Sequence, residues 1–129
     1  MNKILLIDDD VPTNFYNQYI LKKHSNNCEI IVKTNGSEAL EYLKKAALPH
    51  LIFLDINMPV MNGFEFLEEA KRCFKGKWEQ TKIFIMMGVE LPEAGRHQID
   101  ADDNINIINS KMLTKVDIDN IILNKNICN

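Results

Sequence analysis

Five short apolar runs, Lys3–Ile7, Glu29–Lys33, Leu51–Leu54, Lys82–Met87 and Ile105–Ile108, recur along the chain with segments of helical spacing between them. A sequence alternating in this way has few means of burying its apolar surface. The most direct is a parallel sheet whose strands are joined by crossover helices. Several runs are apolar at consecutive positions, as suits strands covered on both faces. The expectation is an α/β fold with a doubly wound, five-stranded parallel sheet, (βα)5.

Between the runs, Phe15, Tyr16, Tyr19 and Ile20 repeat at three- and four-residue spacing, as do Leu40 and Leu43 with Ala39, Ala46 and Ala47 nearby. Each set reads as one buried helix stripe. Ser37 is the expected cap of the second helix, and Phe64, Leu67, Ala70, Cys73 and Phe74 line the third. Thr114 followed by Asp117 opens a last helix through Leu123. Leu91–Asp102 is the expected fourth helix, although Pro92 and Gly95 interrupt it. No repeat, low-complexity segment or linker rich in Pro, Gly or Ser breaks the pattern, so one domain over residues 1–129 is expected, with no output domain after the last helix.

Composition removes several function classes. With 129 residues, 46% hydrophobic and 26% charged, the chain has the balance of a globular domain, and such a length removes roughly two thirds of the unfolded surface from water. Lys and Arg total 15 against 18 acidic residues, a net charge of −3, which leaves no broad cationic face for nucleic acid or anionic lipid. Cys28, Cys73 and Cys128 contain no short pair of the kind that suggests zinc or redox chemistry, and reduced, mostly buried thiols are expected. Ile4–Ile7 is too short for a signal-peptide core, and no apolar stretch approaches the ~20 residues of a membrane span. The expected location is the cytoplasm.

Doubly wound sheets place their ligands at the carboxyl ends of the strands. Asp8, Asp9 and Asp10 follow the first run, and Asp55 follows the third. Clustered carboxylates repel one another unless a cation neutralises them, and hard oxygen ligands suit Mg2+. Ser110-Lys111 follows the fifth run and brings an ammonium to the same rim. Such a set can orient a phosphoryl group and neutralise its oxygens, with Asp55 as nucleophile forming an acyl phosphate. Asp10, beside Val11-Pro12, reads more simply as a helix cap.

The segments Ile4-Leu5-Leu6-Ile7-Asp8-Asp9-Asp10, Leu51-Ile52-Phe53-Leu54-Asp55-Ile56-Asn57-Met58-Pro59-Val60-Met61-Asn62-Gly63 and Ser110-Lys111 together resemble the receiver domain of two-component response regulators, stand-alone and similar to the chemotaxis regulator. The resemblance runs from about Lys3 to Leu123. It implies a flavodoxin-like fold whose Asp55 accepts a phosphoryl group from the phosphohistidine of a sensor histidine kinase or a histidine phosphotransfer protein. It further implies that Asp9 and Asp55 are side-chain metal ligands, that Asp8 acts mainly through an ordered water, and that the backbone carbonyl of Asn57 completes the protein's share. Lys111 would contact the phosphoryl oxygens, and Gly63 would supply a backbone conformation that other residues resist. A domain of this kind catalyses only its own phosphorylation and dephosphorylation, and acts on a downstream protein.

Three positions depart from the family's pattern. Gly88 stands where the family has a Ser or Thr whose hydroxyl bonds the phosphoryl group, Ile108 where it usually has a Tyr or Phe that swings inward, and Met112 where a proline follows the lysine. Thr81 lies too far back to replace the hydroxyl, whereas Ser110, beside the lysine, could do so only through a shifted loop. The alternative reading is a receiver-like interaction module whose output no longer depends on phosphorylation. A Mg2+-dependent phosphatase using Asp55 is a third, but such enzymes typically carry a second aspartate where Asn57 stands.

Overall fold

The computed structural model describes residues 2–25, 27–88, 99 and 102–123. Its elements in chain order are β1 (Asn2–Ile7), α1 (Val11–His24), β2 (Cys28–Lys33), α2 (Gly36–Lys45), β3 (Leu51–Asp55), α3 (Gly63–Cys73), a 3-10 turn (Trp78–Gln80), β4 (Lys82–Met86), β5 (Ile105–Ile108) and α4 (Lys115–Ile118). A π-helical turn, Asp119–Leu123, continues α4. All five strands are parallel and lie in the order β2-β1-β3-β4-β5. The order reverses direction after β1, which opens a crevice at the carboxyl ends of β1 and β3. The helix expected over Leu91–Asp102 lies largely outside the described residues.

Alternation along each strand sends successive side chains to opposite faces of the sheet. Leu5, Ile7, Ile52 and Leu54 pack with Leu43, Phe66 and Ala70 on the side of α2 and α3. Ile4, Leu6, Leu51 and Phe53 pack with Leu21, Leu113, Ile118 and Ile122 on the side of α1 and α4. The expectation of strands covered on both faces holds for β1, β3 and β4. At the sheet edges β2 is only half-buried and Ile107 of β5 is exposed.

Three local expectations are corrected. The apolar stripe of α1 faces the core only in part: Ile20 packs against the core and Tyr16 is half-buried, but Phe15 is 73% and Tyr19 54% exposed, and the buried residues are Asn14, Asn17 and Leu21. The helix is rotated so that two asparagines find buried backbone partners, a requirement that outweighs burying two rings whose exposure costs no unmade hydrogen bond. The cap of α2 is Asn35, whose side chain accepts from Glu38 N, and Ser37 lies inside the first turn. Finally, Cys28 is disulfide-bonded whereas Cys73 is a free, half-buried thiol. Wide cysteine spacing carries no information on pairing, so the sequence could not separate the two. Thr114 and Asp117 do form the expected capping box that starts α4.

Candidate functional site

Ile7 pairs with Leu54 across β1 and β3, so the next residues, Asp8 and Asp55, are brought side by side at the strand ends. They continue the Ile4–Leu6 and Leu51–Phe53 rows toward the α1 side of the sheet. Both are buried, at 7% and 2% exposure, while Asp9 is exposed. One carboxylate oxygen from each of Asp8, Asp9 and Asp55 lies within 4.8 Å of the other two. Lys111, on the loop after β5, places Nζ 3.2 Å from Asp55 Oδ1. Asn57 N approaches the same oxygen at 3.4 Å, and buried Asp55 Oδ2 has no hydrogen-bond partner among the described residues.

The electrostatics express this crowding. Burial pushes the Asp8 carboxyl up to about 6, against a backbone bond from Asp10 and with the Asp55 charge adding to the rise. Burial likewise raises Asp55, opposed by the hydrogen bond and charge of Lys111. Burial alone would lower Lys111, but its bond to Asp55 and the charges of Asp55, Asp8 and Asp9 hold it above the ordinary lysine value. One ammonium does not balance three carboxylates. An oxygen donor set with an orphaned buried oxygen and raised carboxyls fits a hard divalent cation such as Mg2+.

Asp10 stands outside this set. It is the N-cap of α1, its carboxylate accepting from Thr13 N at 3.0 Å and from the Thr13 hydroxyl, and those bonds hold it below the usual carboxylate range. The residues that shape the site from behind are Asn14 and Asn17, which the sequence reading did not single out. Asn14 Nδ2 donates to the Asp8 carbonyl at 2.7 Å, and Asn17 Nδ2 donates to the Lys111 carbonyl at 3.0 Å. The available signal was two asparagines three apart inside a helix, where that residue type is disfavoured unless it has a specific partner.

Beside Asp55 and Lys111 opens a cavity of about 220 Å3 walled by Ile56, Met86, Met87 and Gly88. Among the described residues, a Cβ at Gly88 would meet nothing within 4 Å. Ser110 does not supply the missing hydroxyl: its Oγ accepts from Met112 N and reaches Met112 O, both at 3.1 Å, and so is engaged within its own turn. Thr81 donates to the Pro49 carbonyl at the opposite end of the strands. Ile108 is half-buried against the cluster that contains Met86 and Leu113. No described peptide bond is cis, the Lys111–Met112 bond included. Gly63 is corrected: its φ is not positive, and a Cβ there would lie 2.7 Å from the Asp55 carbonyl oxygen. It is small because the backbone passes close, not because its torsion is unusual.

A five-stranded doubly wound sheet with an acidic triad and a lysine at its switch point defines a class, and comparison with known proteins gives the same one. The family described as response regulator receiver domain matches residues 4–103, and the chain belongs to it. It is similar to a two-component response regulator from Cytophaga hutchinsonii, 30% identical with a TM-score of 0.82 over 97% of this chain and 96% of that one. Chemotaxis protein CheY4 of Vibrio cholerae shares the fold, with 24% identity and a TM-score of 0.74 over 92% of each chain. The transcriptional regulatory protein CpxR of Escherichia coli (strain K12) is 31% identical over 105 residues, 80% of this chain but only 41% of CpxR. The chain thus spans less than half the length of that curated relative. Among the described residues, no helix is long and apolar enough to cross a membrane.

Proposed function

We propose that the chain is a cytoplasmic receiver that takes a phosphoryl group onto Asp55 from the phosphohistidine of a sensor histidine kinase or histidine phosphotransfer protein, and signals by contact with a downstream protein. The observation that carries this reading is the Asp55 carboxylate, buried, paired to Lys111 on one oxygen and unpartnered on the other. In the step, an Asp55 oxygen bonds to phosphorus as the bond from phosphorus to the donor's imidazole nitrogen breaks. The acyl phosphate stays on the protein and the neutral imidazole leaves with the donor. Lys111 neutralises charge on the phosphoryl oxygens. Asp8, Asp9, Asp55 and the backbone carbonyl of Asn57 would hold Mg2+, which supplies the remaining positive charge at the phosphoryl group.

Incubation with a small phosphodonor such as acetyl phosphate tests this: wild type is expected to be labelled in the presence of Mg2+, and neither Asp55→Asn nor wild type with a chelator to be labelled. An unlabelled wild type would sink the reading. Free phosphomonoesters should not be turned over.

A second reading, a module whose output is independent of phosphorylation, is favoured by the empty side-chain position at Gly88 and by the engagement of Ser110 within its own turn. It predicts that a partner binds the unmodified and phosphorylated protein equally. A partner that binds only after phosphorylation excludes it.

A further inference from the structure

The loop that carries Lys111 is held by few hydrogen bonds of its own. Its β5 neighbour Ile108 is fixed by Met87 N at 3.0 Å, and α4 begins at the Thr114 cap. Between them, the hydrogen bonds of Ser110 run only to Met112. Among the described residues, the hydrogen bonds that tie the backbone of 109–113 to another element come from one side chain. Asn17 Nδ2 donates to the Lys111 carbonyl at 3.0 Å, and Asn17 Oδ1 accepts from Leu113 N at 2.8 Å. Asn17 is 3% exposed, so this amide satisfies both of its functions against one short loop, and removing it leaves a carbonyl and an N–H without partners at the edge of the core.

The clamp spans both sides of Met112, whose own side chain is exposed and contributes no anchor to the core. A lysine has four rotatable side-chain bonds, so its ammonium is placed only as well as the backbone that bears it. Fixing the carbonyl of Lys111 itself sets the origin of a side chain that must reach Asp55 at 3.2 Å. One helical turn earlier, Asn14 holds the carbonyl of Asp8, so the same face of α1 indexes the acidic and basic sides of the site to one rigid element.

We infer that Asn17 is a positioning residue for phosphoryl uptake: it acts through Lys111, by clamping the 111–113 backbone so that the ammonium is aimed at Asp55. The inference rests on the phosphoacceptor reading above. Its sharpest consequence is non-additivity, because a residue that works only through Lys111 has nothing left to contribute once Lys111 is gone.

The test measures labelling rate by acetyl phosphate at saturating Mg2+ for wild type, Asn17→Ala, Lys111→Ala and the double variant, with amide hydrogen exchange at Leu113 read in parallel. Asn17→Ala is expected to slow labelling at least tenfold, to leave the Mg2+ concentration for half-maximal labelling unchanged, and to speed exchange at Leu113. The double variant is expected to label at the rate of Lys111→Ala. If Asn17→Ala does not fold, Asn17→Leu, of similar volume but without either hydrogen-bonding group, takes its place in the same cycle. Labelling at the wild-type rate, a further fall on the Lys111→Ala background, or unchanged exchange at Leu113 would each overturn the inference while the phosphoacceptor reading stands. An unlabelled wild type removes the reading and the inference with it.

Discussion

A Cβ added at Gly63 would lie 2.7 Å from the Asp55 carbonyl oxygen and from Ile56 Cδ1, whereas one added at Gly88 meets nothing within 4 Å among the described residues. Two glycines near the same carboxylate therefore answer to different constraints. Gly63→Ala should destabilise by about 1–3 kcal/mol, since the backbone contact cannot yield without moving the end of β3. Gly88→Thr should change stability by no more than about 0.5 kcal/mol, and it places a hydroxyl on the cavity beside Lys111. Urea unfolding of both variants separates the two cases; equal losses would contradict the geometry. At this scale Asp8, Asp9, Asp55 and Lys111 were legible because a strand delivers its last residues to the rim whatever else surrounds them. Asn17 was not, because its partners are main-chain groups 94 and 96 residues away, and a backbone acceptor leaves no mark in sequence.

Among the elements, α1 is where pattern and packing part company. Its rings at Phe15 and Tyr19 stand on the solvent side with Val11, while Leu21 is fully buried beside the asparagines. Periodicity locates a stripe but does not say which stripe faces inward when a second one carries buried polar groups. Phe15→Ser should therefore cost less than about 0.5 kcal/mol, and Leu21→Ala about 2–5 kcal/mol. Thermal melts of the two variants check the assignment, and a large loss at Phe15 would mean that the helix is turned the other way. The amphipathic α2 and α3 bury Leu40, Leu43, Leu67 and Ala70 as the spacing picked out, but α2 ends at Lys45, before Ala46 and an exposed Ala47, and the fully buried Phe66 of α3 was not among the expected residues.

For the molecule as a whole, the acidic site sets a pH dependence. Asp8 is raised from 3.8 to about 6 in the folded, cation-free protein. Because its folded value exceeds its unfolded one, Asp8 favours the folded state fully below about pH 4, and that contribution is lost as the pH rises through about 6. A shift of this size corresponds to about 3 kcal/mol. In the presence of a chelator, Asp8→Asn should therefore gain stability relative to wild type from about pH 4 to 7, by up to that amount, while adding Mg2+ should narrow the gap by stabilising the carboxylate form. Chemical denaturation across that pH range reads the difference directly, and a gap that stayed flat with pH would refute it. The parallel sheet covered by helices, in contrast with this balance of charge, was foreseeable from strand and helix alternation, but its strand order was not, since doubly wound sheets occur in more than one order.

The chain's single tryptophan, Trp78, is 2% exposed between Phe66 and Phe74, on the turn that leads into the amino end of β4. The carboxylates stand at the other end of the strands. Its ultraviolet emission is thus expected to gauge whether the domain is folded and to change little with events at Asp55, so that unfolding could be followed by light alone while the acceptor is loaded, emptied or mutated; a shift in emission on loading Asp55 would contradict this.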